Sequence, residues 1–145
     1  MAPALRLADA SRRMMNLAGY RGKVVALNFW ATECGGCRKE IPSFIELEGA
    51  LQSKGLAVVG VSLDTMYENL KGADEAWSRV KPFVQEHKIN YPILMGDDAV
   101  TQAYSVQSMP ATYLIDKQGR IAASWVGVVI DKSEVEAKIR TLLRE

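Results

Sequence analysis

Cysteine and histidine are nearly missing from this sequence: its 145 residues include two of the first and one of the second. That scarcity excludes a disulfide-stapled scaffold. It also excludes a zinc site built within one chain, which needs about four ligands. Charge of one sign is missing too, because 18 basic residues face 17 acidic ones for a net +1. The basic residues are scattered in twos, such as Arg12-Arg13 and Arg38-Lys39, so no basic footprint marks a nucleic-acid partner. Apolar runs never approach the roughly 18 residues of a membrane-spanning helix. Met1 to Met15 have neither the apolar core nor the cleavage site of a signal peptide. No repeat, linker or low-complexity tract divides the chain, and residues 1–145 read as one domain, long enough to bury a core without staples.

The two cysteines that are present sit together, at the end of the apolar run Val24 to Ala31, as Cys34-Gly35-Gly36-Cys37. A dithiol at a strand-to-helix junction suits thiol-disulfide exchange. Cys34 falls where a helix begins, so free backbone N–H groups and the positive end of the helix dipole favour its thiolate. It reads as the exposed nucleophile, with Cys37 as the resolving thiol. A zinc half-site and a static disulfide are the bland alternatives. The first lacks ligands, and the second would close too small a loop to add much stability. Haem attachment fails because Arg38, not histidine, follows Cys37.

Periodicity predicts the elements around this pair. Residues 4–8 and 13–17 read as a hairpin, and 24–31 and 56–63 as strands buried on both faces. Ile41, Phe44, Ile45, Leu47 and Leu51 recur at helical spacing, predicting a helix from Cys34 to Ser53 that Pro42 kinks. Between Asp64 and Asn90 the pattern is helical, with a stripe of Trp77, Val80 and Val84, and Pro82 starting or bending a piece of it. Strands at 91–95, 112–116 and 120–128, a short helix at 98–104 and a last helix over Val135, Ile139, Leu142 and Leu143 complete the chain. Asp131 and Glu134 have the spacing of a capping box. His87 reads as a surface residue, and Asp97-Asp98 as a turn and helix cap. The expected class is α/β, a central mixed β-sheet flanked by helices, with an N-terminal β-hairpin and a helical insertion after the second core strand.

The stretch Asn28-Phe29-Trp30-Ala31-Thr32-Glu33-Cys34-Gly35-Gly36-Cys37-Arg38-Lys39-Glu40-Ile41-Pro42 resembles the active-site segment of the TlpA/ResA/DsbE-like thiol-disulfide oxidoreductases, a family with the thioredoxin-like fold. Val58 to Asp64 and Ser108 to Asp116 followed by Gly119 match in the same order. The resemblance implies a cis peptide before Pro110 beside the cysteine pair, with the Met109 backbone free to pair with an incoming peptide. It also implies that Glu40, one turn beyond Cys37, tunes the pair by taking or returning a proton. Asn28 stands where thioredoxins keep a buried aspartate. Catalytic roles are therefore expected for Cys34, Cys37, Glu40 and Pro110, and substrate contacts for Glu33, Gly35, Gly36 and Met109, with no cofactor and no metal.

Two positions depart from the family pattern. Glu33 replaces a usual tryptophan, and its charge is expected to raise the Cys34 pKa and alter docking. Gly36 replaces a common proline and is expected to loosen the first helical turn. The resemblance implies a monomer that reduces disulfides in extracytoplasmic or periplasmic proteins, apocytochrome c among them. It would be supplied by a thiol electron donor in the membrane and exported by a signal or anchor that this sequence lacks. A cytoplasmic location is the alternative. A Sco-like copper chaperone is disfavoured because His87 precedes the Pro110 segment and the cysteine spacing is narrow. A peroxiredoxin-like peroxidase is disfavoured for want of a Pro-x-x-x-Thr-x-x-Cys arrangement. A fold kept only for binding, with its redox activity lost, is the remaining alternative.

Overall fold

The computed structural model describes residues 1–66, 72–129 and 131–145. The chain opens with an antiparallel hairpin, β1 (Arg6–Ala8) and β2 (Met14–Asn16), in which Leu7 faces Met15. β3 (Val24–Trp30) leads into helix α1 (Gly35–Leu51), and β4 (Leu56–Ser62) into helix α2 (Ala73–Glu86). Then come β5 (Ile93–Met95), helix α3 (Asp98–Ala103), the antiparallel pair β6 (Ala111–Ile115) and β7 (Ile121–Val126), and helix α4 (Lys132–Leu143). The order across the sheet is β5-β4-β3-β6-β7. β3 runs parallel to β4 and antiparallel to β6, with Phe29 opposite Ala111.

β3 and β4 are buried at every residue, which explains why both are continuous apolar runs rather than alternating ones. Side chains alternate across β3. Val24, Ala26 and Trp30 pack with Ile41, Phe44, Leu47 and Leu51 of α1 and with α2 and α4. Val25, Leu27 and Phe29 pack on the opposite face with Leu5, Leu7, Val100 and Tyr104. Gly60 on β4 is held to a bare Cα by close packing: a Cβ there would lie 2.7 Å from Ile93 Cδ1 and 3.0 Å from Trp30 Nε1. Among the described residues, no helix is long and apolar enough to cross a membrane.

Several local expectations need correction. The helix predicted over Cys34–Ser53 begins one residue later, and its last turn tightens into a 3-10 piece over Gln52–Lys54. Only Asp64–Met66 and α2 are helical in the described part of 64–90; residues 67–71 lie outside the described residues. Pro82 is inside α2, and Ala76, Trp77, Val80 and Phe83 form its buried face, with Val84 only partly buried. Phe83 wins the place because its ring packs 5.3 Å from Trp30. Asp131 caps α4 through the Ser133 N–H, whereas Glu134 accepts from Trp125 Nε1 at 3.2 Å instead of closing a reciprocal box. Asp97 does cap α3, accepting from Val100 N at 2.9 Å.

Candidate active site

At the end of β3 the chain leaves the sheet, and residues 31–33 carry it to α1. Cys34 is the N-cap, with extended backbone at φ −83° and ψ 109°. Its sulfur accepts the Cys37 N–H at 3.1 Å, satisfying one of the amides that a helix start leaves open. The two cysteines are joined in a disulfide with Cα atoms 5.2 Å apart. Cys34 is half-buried, whereas Cys37 is 1% exposed. A visitor can therefore reach the first sulfur and not the second.

The antiparallel run of β6 brings its leading residues to the same end of the sheet. The Met109–Pro110 peptide is cis, and the Pro110 carbonyl accepts the Gly127 N–H at 2.8 Å. A Cβ on Gly36 would lie 2.6 Å from Val128 Cγ2 and 3.4 Å from Pro110 Cδ. The expected loosening of the first turn gives way to a steric reason: glycine lets Val128 and Pro110 close against the helix start. Val128 and the 74%-exposed Val126, with half-buried Met109, make an apolar margin there.

Glu40 lies one turn beyond Cys37 and is 3% exposed. Its Oε1 accepts from Asn28 Nδ2 at 3.2 Å and its Oε2 from Val129 N at 2.7 Å. Asn28 also donates to Thr112 Oγ1 at 3.1 Å. Burial pushes the Glu40 carboxyl pKa above its ordinary value, and the bonds from Val129 and Asn28 oppose that shift only in part. A carboxyl whose pKa is raised by burial, one helical turn from a buried cysteine, is a candidate for proton transfer.

Glu33, expected to set a bare negative charge beside Cys34, is exposed and pairs with Arg79 of α2 at 2.6 Å. Its charge is met before it can act on the sulfur alone. Arg38 donates from Nε to the Thr32 carbonyl at 2.9 Å, with its guanidinium 5.8 Å from the Phe83 ring centroid. His87 stacks on that same ring, with centroids 3.9 Å apart. Beneath the loop lies Asp64, fully buried, which accepts from the Thr32 N–H at 3.3 Å, from Thr32 Oγ1 at 2.5 Å and from Ser62 Oγ at 2.5 Å.

Cys34, Cys37, Gly36, Met109 and Pro110 thus converge, with Glu40 behind them, and Glu33 and Gly35 are exposed at the front. Sequence reasoning missed Asp64, Arg79, Val128 and Val129. Only Asp64 had a signal, as the polar end of the otherwise apolar Val58–Asp64 segment. Among the described residues, no cluster of three or more histidine, cysteine or acidic side chains could hold a metal ion.

A disulfide between an accessible and a buried sulfur, set where the middle strand of a mixed sheet meets a helix, is the working part of a thiol-disulfide oxidoreductase with the thioredoxin-like fold. The chain belongs to the AhpC/TSA family, whose model matches residues 1–124. It is similar to thioredoxin-like protein YneN of Bacillus subtilis, 35% identical over 138 residues, which are 95% of this chain and 76% of that protein. It is also similar to thiol-disulfide oxidoreductase ResA of Geobacillus thermodenitrificans, 31% identical over 142 residues, covering 97% and 75%. In three dimensions it resembles a thiol:disulfide interchange protein DsbE from Chlorobium tepidum, with a TM-score of 0.85, 28% identity and coverage of 98% and 94%. Oxidoreductase chemistry at Cys34 and Cys37 is therefore the activity of this chain.

Proposed function

We propose that this oxidoreductase works as a reductant of disulfides in extracytoplasmic proteins, cytochrome c precursors among them, with Cys34 as the attacking thiol. The observation that carries the reading is the unequal exposure of two sulfurs at one helix start, where only Cys34 is open to solvent and N-caps the helix. In the reduced protein the Cys34 thiolate attacks one sulfur of the substrate disulfide. An intermolecular S–S bond forms, and the other substrate sulfur leaves as a thiolate that takes a proton. Cys37 then passes its proton to the Glu40 carboxylate and attacks Cys34 Sγ, and the second substrate sulfur leaves as a thiolate that takes a proton from solvent. Two electrons have moved to the substrate, and the protein keeps the disulfide.

A thiol donor at the membrane returns the disulfide to the dithiol. The substrate strand lies along the Met109 backbone, and Pro110, Gly35, Gly36 and the apolar margin of Val126 and Val128 shape its seat. A Cys37→Ser variant mixed with oxidised partner accumulates a mixed disulfide through Cys34, seen as a reducible band and mapped by mass spectrometry. If Cys34 stays free and a Cys34→Ser variant traps the partner through Cys37 instead, the roles are reversed and the reading is wrong.

A further inference from the structure

The loop that delivers Cys34 to its helix is tied down from three sides, and one tie is a buried acid that the exchange chemistry does not consume. Asp64 follows β4 and has no solvent exposure. Both of its oxygens accept the Thr32 N–H at 3.3 Å, Oδ2 also takes Thr32 Oγ1–H, and Oδ1 takes Ser62 Oγ–H. The Ser62 hydroxyl in turn accepts the Asp64 N–H at 3.1 Å. The carboxyl is thus surrounded by neutral donors, and among the described residues no salt bridge reaches it. The next peptide is held by Arg38, which donates to the Thr32 carbonyl, and the Glu33 side chain is held by Arg79.

We propose that Asp64 is a positioning residue for the redox pair: it fixes the Thr32–Glu33 segment, and its buried charge opposes thiolate formation at Cys34. One residue, Glu33, separates Thr32 from Cys34, so a shift of that segment moves the N-cap directly. The charge acts through protein rather than water, where screening is weak. Among the described residues, the other charged groups on the elements packed beside Cys34 include Glu33 on the loop, Arg38 and Glu40 on α1 and Arg79 on α2; the 108–110 and 127–129 segments bring none. Among these, Asp64 is the acid with no solvent exposure and no ionic partner among the described residues, held instead by the Thr32 N–H and two hydroxyls.

Equilibrating the full chain with glutathione tests this: protein disulfide and two glutathione thiols yield protein dithiol and one glutathione disulfide. Asp64→Asn keeps an acceptor for Thr32 and offers a donor to Ser62 while removing the charge. The expected result is a lower Cys34 pKa, read from thiolate absorbance, and at pH 8.5 an equilibrium moved toward the dithiol by about three- to tenfold, at most roughly 30 mV. Thr32→Val keeps the charge, deletes its hydroxyl donor and should move both readouts the opposite way. A merely structural role lowers the melting temperature and leaves the pKa and equilibrium unmoved, which overturns the proposal. Should Asp64→Asn fail to fold, an unmoved Thr32→Val decides the matter alone. The inference rests on Cys34 being the titrating thiol. Alkylation of the wild type at Cys37 would overturn that assignment first, an outcome distinct from variants that do not shift.

Discussion

Glu40 and Glu48 lie about two turns apart on one face of α1, and their surroundings are alike at first inspection. Both are buried. Each accepts a backbone N–H, from Val129 at 2.7 Å and from Val58 at 2.9 Å. Burial is the largest cause raising each carboxyl pKa. Their neighbours separate them. Glu48 takes the N–H of Val58, which β5, starting opposite Gly60, leaves without a strand partner, and the Lys23 charge partly offsets its burial. Glu40 sits one turn from the buried sulfur and bonds to Asn28 of the central strand. A raised pKa therefore does not by itself mark a working acid; reach to a reacting atom does. Glu48 finishes a sheet edge, and Glu40 stands behind a thiol.

The sharpest way to break this contrast is a paired substitution. Glu40→Gln should slow reduction of a protein disulfide about a hundredfold, the range expected for loss of a proton-transfer group. Glu48→Gln should leave the rate within about twofold. Equal losses in a turnover assay would erase the distinction.

Thermal melts across pH sharpen it next. A carboxyl whose pKa is raised by folding contributes stability that is complete below its unfolded value, here near 4.5. That contribution is lost as pH climbs through the folded value. The melting temperature should therefore fall over an interval beginning near pH 4.5, and each Gln variant should flatten part of the slope. A slope left intact in the double variant would remove both residues from the account.

A smaller effect tests the Glu40 end alone. Val128 adjoins Val129, the donor to Glu40, and blocks a Cβ at Gly36. Gly36→Ala should realise its helix gain of about 1 kcal/mol only when Val128 is also cut to Ala, giving a coupling of similar size in a double-mutant cycle. Smallest of all, Arg79→Ala removes an exposed ion pair with Glu33 and should change stability by less than about 1 kcal/mol in denaturant melts.

The same contrast explains what could be read from the sequence. β3 and β4 were legible because burial on both faces leaves an uninterrupted apolar run, and the cysteine pair because its spacing and place at a helix start carry their own chemistry. The last helix could be seen from Val135, Ile139 and Leu142, but its cap was misjudged because Trp125, nine residues away, claims Glu134. Phe83 took the buried place expected for Val84 because Trp30, on a distant strand, fits it. Glu33 looked like an unopposed charge until α2 brought Arg79 to it across 46 positions. Val129 reaches Glu40 across 89. Local patterns specify elements; they do not specify which element's side chain completes another's hydrogen bonds.

Because β6 runs counter to β3, its two ends are assigned to opposite rims of the sheet. Ala111 stands opposite Phe29 near the sulfurs, and Ile115 stands opposite Val25 at the other extreme, about 13 Å away along the strand. The Lys117–Gly119 turn follows there, knitted to the chain start by Gly22 N–H on the Lys117 carbonyl and Ala2 N–H on the Gly119 carbonyl. A tether or dye carried on the side chain of Gln118 would hold the molecule by its back, leaving the reactive rim turned toward whatever arrives.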